Sequence, residues 1–390
     1  MSKINDLIKK LCPNGVEFKK LEDCCNILDN KRKPISKGIR EMGEYPYYGA
    51  NGIQDYISDY IFDGKYVLVG EDGSVQTPNG TPIVNWAIGK IWVNNHAHII
   101  EEIDGVSLRY LYHYLQIVDV KDLIHGNIPK LNQSNFRNIK IAVPPLEVQE
   151  EIVKILDKFG ELEAELEAEL EARKSQYEFW RGNVFSSNNN LIKLDDVCNI
   201  TAGGTPSKTH SEYWENGNIR WLGSTVCENK KGISEVTNYI TELGLSKSSA
   251  KLLKPGTTLI AMVGATIGKV AYLDYEACTN QNVASLFPKN INELDTSYLY
   301  HACRNLYSVF LDYANGKFSM ASLGYIKNLK IPLPNINEQK RIAKLLDKFD
   351  TLINDISEGF PAEIELRRKQ YEYYRNKLLN FKVQSIYEEN

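Results

Sequence analysis

No stretch of the sequence stays apolar for the roughly 18 residues that a membrane-spanning helix requires. The opening MSKINDLIKKLCPNG is too polar for a secretory leader, so a cytoplasmic protein is expected. Cysteine is scarce: seven residues, an odd number with no CxxC pair and with Cys24 and Cys25 adjacent. That pattern suits neither a disulfide framework nor a zinc site and reads as reduced thiols. Signatures of catalysis are missing too, with no Gly-x-Ser-x-Gly elbow, HExxH helix or dinucleotide fingerprint. GATIGKV at 264–270 falls short of a phosphate loop, because three residues separate its glycines and Val270, not a hydroxyl residue, follows Lys269. It reads as a glycine-rich turn. His96 and His98 alternate along a strand-like segment and could form a metal pair, but packing or hydrogen-bonding roles are the expectation, with no metal and no catalytic residue.

The charge balance, 46 basic against 50 acidic residues, gives −4 overall. Eleven acidic and five basic residues lie between 147 and 181, so the remainder carries a small positive balance and can present basic faces.

What the sequence does contain is a duplication. IAVPPLEVQEEIVKILDKF (141–159) recurs as IPLPNINEQKRIAKLLDKF (331–349), and ARKSQYEFWR (172–181) recurs as LRRKQYEYYR (366–375). YLYH occurs at 110–113 and 298–301, and KLEDCCNI (20–27) echoes KLDDVCNI (193–200). The order is therefore globule, helix, globule, helix. The offset between copies widens from 173 to 194 along the chain, mostly between residues 28 and 110, inside the globular part. The frame repeats and its filling differs.

Each helical segment opens on prolines (Pro144 and Pro145; Pro332 and Pro334) and continues with an apolar stripe. Ile152, Ile155, Leu156, Phe159, Leu162 and Leu166 form the first stripe; Ile342, Leu345, Leu346, Phe349, Leu352, Ile353 and Ile356 form the second. Two such stripes in one chain most simply cover each other as a long antiparallel pair. Gly359 and Pro361 predict a break in the second. The globules mix glycine-punctuated strands (66–75, 90–100, 257–273) with aromatic helices (107–116, 296–310), which gives an α+β class. The resulting division is a first globule over 1–140, a helical region over 141–186, a second globule over 187–330 and a second helical region over 331–390.

Two loop regions, placed equivalently after the KLEDCCNI and KLDDVCNI echoes, have the composition of nucleic-acid-binding material. The first carries Lys31, Arg32, Lys33, Lys37 and Arg40 ahead of Tyr47, Tyr48 and Asn51. The second carries Thr205, Ser207, Lys208, Arg220, Trp221, Ser224 and Thr225. Cations neutralise phosphates, Arg and Asn pair with base edges, and small hydroxyl residues in glycine-rich turns allow close backbone approach. A further matched pair of glycine-led loops carries Lys130 and Lys317.

The twice-occurring IPLP…EQ…I…LLDKF helix entry, the QYEYYR-like exits and the GGTPS…YW…G-x-IRWL head of the second globule resemble the DNA specificity (S) subunit of Type I restriction-modification systems. The likeness covers essentially the whole chain. It implies two target recognition domains, each reading one half of a split double-stranded DNA sequence, in pseudo-two-fold arrangement about paired helices. It further implies docked modification subunits, two copies, and a restriction subunit as partners. The chain itself would be noncatalytic and without cofactor, S-adenosylmethionine belonging to the modification subunit. A self-sufficient restriction or modification enzyme would need motifs that are not seen, and a helical adaptor would leave the paired loops unexplained. The perfect run ELEAELEAELEA (161–172) fits a helical spacer: each unit adds about 6 Å and turns its flank by only about 40°. Repeated Leu, Glu and Ala are also simply good helix formers on a solvated face.

Overall fold

The structure, a computed structural model, describes residues 2–73, 75–186, 190–233, 236, 238–315, 320–355 and 357–382. The chain packs as two compact units, one of residues 1–164 and 366–390, the other of residues 165–365. These limits fall inside the helical regions because each globule buries part of both. The core of the first unit includes Val148, Ile152 and Leu156 together with Leu378 and Leu379. That of the second includes Tyr177 and Phe185 together with Ile342, Leu346 and Ile353.

The first unit opens with helix α1 (Ser2–Leu11). Its main sheet has strands β1 (Asn26–Ile27), β2 (Met42–Gly49), β3 (Gly52–Ile57), β4 (Phe62–Gly70), β5 (Val84–Val93) and β6 (Ala97–Glu101), in the order β1-β6-β4-β5-β2-β3. Helix α2 (Leu108–Leu115) covers it with Tyr110, Leu111, Tyr114 and Leu115. The long helix α3 (Leu146–Ser186) then begins. In the second unit, strands β7 (Cys198–Ala202), β9 (Lys230–Lys231), β11 (Thr258–Ala261), β12 (Val270–Tyr272) and β14 (Val283–Pro288) form a sheet ordered β7-β14-β11-β12-β9. Strands β8 (Ile219–Leu222), β10 (Asn238–Ile240) and β13 (Cys278–Thr279) form another, with β8 central. Helix α4 (Thr296–Asn305) packs on them, followed by α5 (Ile336–Asn354) and α6 (Phe360–Leu379). The break expected at Gly359 and Pro361 separates α5 from α6; a Cβ on Gly359 would lie 2.6 Å from the carbonyl of Thr351. Within the first unit α3 and α6 run antiparallel: Phe159 meets Tyr371 and Tyr374, and farther along α3 Glu163 pairs with the earlier Arg368. In the second unit the last turns of α3 meet α5 through Tyr177 and Phe349.

Several repeated motif residues have the same task in both copies. Glu17–Lys20 pairs antiparallel with Lys140–Val143, and Leu191–Lys193 pairs likewise with Lys330–Pro332, closing each globule just before its helix. Gln149 is fully buried; its amide donates to Pro144 O and Gly105 O, and its oxygen accepts from Ser107 N. Gln339 does the same with Pro334 O, Glu293 O and Asp295 N. Tyr110 donates its hydroxyl to Ala142 O at 2.8 Å, and Tyr298 donates to Pro332 O at 2.8 Å.

A tyrosine–histidine–aspartate clasp completes each frame. In the first unit His113 Nε2 lies 2.7 Å from Asp157 and its Nδ1 lies 3.0 Å from the hydroxyl of Tyr371. In the second, His301 Nε2 lies 2.7 Å from Asp347 and its Nδ1 lies 3.4 Å from the hydroxyl of Tyr177. Burial pushes both imidazoles below the ordinary histidine value. The neutral ring then donates to the carboxylate and accepts the phenol proton. The tyrosine always comes from the helix exit of the other repeat.

Burial disfavours the charge on Asp347, but hydrogen bonds from His301 and Lys231 outweigh it and bring the carboxyl down to about 2. The unfolded carboxyl titrates near 4. Its contribution is therefore complete above about pH 4 and is lost as pH falls through about 2. Urea unfolding of the wild type and Asp347→Asn should show a stability gap that is constant from neutral pH to about 4 and closes near 2; a gap indifferent to pH would contradict the clasp.

Candidate nucleic-acid interface

In the first globule the basic loop between β1 and β2 divides into exposed and internal residues. Lys31, Lys33 and Lys37 are exposed. Arg32 turns inward, donating to Glu71 at 2.6 Å, to Ala97 O at 2.6 Å and to Asp29 O at 2.9 Å. Arg40 stacks over Tyr47 at 4.0 Å and donates to Ile35 O and Asp55. Tyr47 is buried at 1% exposure, its hydroxyl accepting from Ile35 N, and Tyr48 is buried in a cluster with Phe62 and Leu68. Arg32, Arg40, Tyr47 and Tyr48, four of the DNA-binding candidates from the sequence, make internal contacts that fold the loop onto its own sheet. Asn51 is exposed at the tip of the β2–β3 hairpin.

Arg32 belongs to a buried ionic cluster. Asp29 accepts from His98 at 2.7 Å, from Ile99 N at 3.0 Å and from Gln133 at 3.2 Å. Burial raises the Asp29 carboxyl, but His98 and Arg32 outweigh that and hold it below its ordinary value. His98, fully buried, also donates to Leu131 O and stacks on Phe136 at 4.1 Å. Lys130 reaches Glu71 at 3.2 Å from the solvent side. The chemistry of Asp29, Glu71 and His98 could hold a cation. Here Arg32 already fills that role, so the cluster reads as an internal ion network. His96 is half-exposed on Asp72 while His98 is buried on Asp29, so the two histidines share no carboxylate partner.

In the second globule packing alone requires Gly203 and Gly204: a Cβ on the first would strike the Thr279 carbonyl and one on the second Ser249. Thr205 donates to Gln281 at 2.5 Å. Trp221 donates to Gly204 O at 2.9 Å and meets Trp214 edge-on at 5.2 Å, so its ring anchors the loop. Ser207 bonds Thr209, Ser224 is half-buried, and Lys208, Arg220 and Thr225 are exposed. Arg220 lies over Tyr275 at 4.5 Å and opposite Tyr239 in the β8–β10 register. Tyr239, 41% exposed, went unnoticed in the sequence because only strand pairing places it beside Arg220. Lys317 lies outside the described residues. At the 264–270 turn a Cβ on Gly268 would strike Phe310, in keeping with a packed turn. All seven cysteines are free and buried, and burial raises Cys24 to about 11 and Cys198 to about 12.

Replacing Arg32 by alanine leaves two buried carboxylates short of a counter-charge and should cost roughly 3–5 kcal/mol in urea unfolding of the first unit. Lys33→Ala, at the surface, should cost under about 0.5 kcal/mol. Equal stabilities would refute the division between internal and exposed cations.

Residues 13–172 and 186–366 both match the model of the Type I restriction modification DNA specificity domain. A Haemophilus influenzae protein provisionally named a type I restriction enzyme specificity subunit is 36% identical over 401 residues, covering 96% of this chain and 98% of its own. The EcoR124I/EcoR124II specificity subunit of Escherichia coli is 38% identical over 70% of this chain and 71% of its own. Among solved structures, the S subunit of the M. genitalium system is similar in fold, with a TM-score of 0.58 at 16% identity over 94% of this chain and 96% of that one. The HsdS subunit of Thermoanaerobacter tengcongensis gives 0.51 at 16% identity over 95% and 97%. With both repeats matched and relatives aligned nearly end to end, the chain belongs to the family of Type I restriction-modification DNA specificity subunits.

Proposed function

We propose that each globule reads one half of a split double-stranded DNA site, while the helical regions set the unread gap and dock modification subunits, one for each repeat. The observation that carries this reading is one frame built twice around two unlike sets of exposed loop residues. Two copies of a recognition scaffold with different surfaces suit two different words. In this reading the chain, like the relatives named specificity subunits, selects the site and leaves the chemistry to its partners. Methyl transfer from S-adenosylmethionine would come from the modification subunits, and cleavage from a restriction subunit. Working on chromosomal DNA, such an assembly would act in the cytoplasm.

In the second globule Arg220 is the favoured base-reading candidate, exposed and held over the Tyr275 ring. Lys208 is the favoured phosphate contact. Arg220→Ala in the assembled complex should relax the second half-site by about 1–3 kcal/mol of discrimination while the first half-site stays unchanged. Methylation of oligonucleotide libraries reads this directly; loss at both halves would point to misfolding instead.

The spacer role follows from α3. The ELEA run lies wholly within this helix, Leu162, Leu166 and Leu170 are half-buried, and the division between the units falls at 164/165, inside the repeat. One more ELEA adds about 6 Å of helix, against about 3.4 Å per base pair of duplex. An inserted fourth unit should widen the gap in the methylated motif by one or two base pairs with both half-sites kept. An unchanged gap would make the run mere filler.

A further inference from the structure

We infer that the buried ionic cluster of the first globule is a positioning device that seats Lys130 against the phosphate backbone of the first half-site. The inference rests on the DNA-reading role proposed above. Its starting point is the comparison of the two globules at one place in their shared frame. Ile27 corresponds to Ile200 in the repeated motif, and Ile100, the strand partner of Ile27, corresponds to Leu286, the partner of Ile200. Carried along that register, Asp29 falls on Ala202 and His98 on Ala284. Glu71 falls on Met262, since Leu131 N donates to Glu71 O as Ala321 N donates to Met262 O. Where the first globule has two carboxylates and an imidazole ring around Arg32, the second therefore has two alanines and a methionine.

Stability does not account for this difference. Buried ion clusters replaced by apolar residues of similar volume are often neutral or gain stability, and the second globule folds around the apolar version. What the ionic version adds is direction. The loop over 129–131 is tied down by Gly73 N to Pro129 O, Leu131 N to Glu71 O and His98 Nε2 to Leu131 O, all at 2.8–3.0 Å. Glu71 uses its two oxygens separately, one for Arg32 at 2.6 Å and one for Lys130 at 3.2 Å. Arg32, Glu71, Asp29 and His98 have side chains no more than 10% exposed, whereas that of Lys130 is 47% exposed. Lys130 is the charged member of the network that reaches solvent. A phosphate can take its ammonium group while Glu71 keeps Arg32, so contact costs no unpaired buried charge. In the second globule the matching bridge position is Met320, 54% exposed and uncharged. At this one position the first globule presents a tethered cation and the second an uncharged side chain.

The test uses the full chain assembled with its modification subunits on DNA carrying the methylated site, with affinity followed against salt. Lys130→Ala should reduce the slope of log K against log salt by about 0.9, one phosphate contact, and Lys130→Arg should restore it. Glu71→Gln should give the same reduction with Lys130 still present. So should a variant carrying the second globule's residues at the three matched positions, Asp29→Ala, Glu71→Met and His98→Ala, with Arg32→Leu to remove the guanidinium left without its carboxylates. Protection of the second half-site should be unchanged throughout. A wild-type slope in Lys130→Ala overturns the seat, and a wild-type slope in Glu71→Gln overturns the positioning role. A wild-type complex that protects no split site would instead sink the DNA-reading proposal, before any variant is made.

Discussion

The structure depends on a buried glutamine and a tyrosine–histidine–aspartate clasp, each present twice. Gln149 and Gln339 satisfy three backbone groups apiece where the chain turns from sheet into helix. Leaving such groups unpaired in an apolar setting would cost about 1–3 kcal/mol each. The clasp then fixes that helix entry to α2 or α4 and draws in a tyrosine from the other repeat's exit. Neither globule's frame is complete with its own repeat alone. This interdependence explains why the compact units divide inside the helices.

Upon this frame the two globules diverge. One carries an ionic cluster and a hairpin tip, the other a glycine-anchored loop held by paired tryptophans. Divergence of surfaces on a fixed frame is what a protein needs if each domain must recognise a different sequence without losing its fit to common partners. The frame supplies stability and the loops supply the word to be read.

Much of this was legible in the sequence, and the reason is physical. The α+β class, the duplication, the helix entries and the break at Gly359 rest on residues whose partners are close in sequence or repeated elsewhere. YLYH, EQ and DKF stand out because the same buried hydrogen bonds are required twice. The individual binding residues were less legible. Arg32 sits in a basic run and looks solvated, but its partner Glu71 is 39 residues away and only the fold reveals it. Tyr47 and Tyr48 look like surface aromatics beside a glycine turn, yet they fill the sheet core; Gly203 and Gly204 look like a DNA approach, yet they clear Thr279 and Ser249. Burial of long-range partners cannot be seen from local composition. Lys31, Lys33, Asn51, Lys130, Ser207, Lys208, Arg220 and Thr225 are exposed and remain candidates.

The account's central claim is that one frame, built twice, presents two unlike readers to a single DNA molecule. The most direct measurement is a genome-wide map of methylated positions in cells with and without this gene, the modification subunit being present in both. The account predicts a gene-dependent motif made of two dissimilar short words separated by a constant number of unread bases. A single uninterrupted word, or two halves of identical sequence, would contradict it.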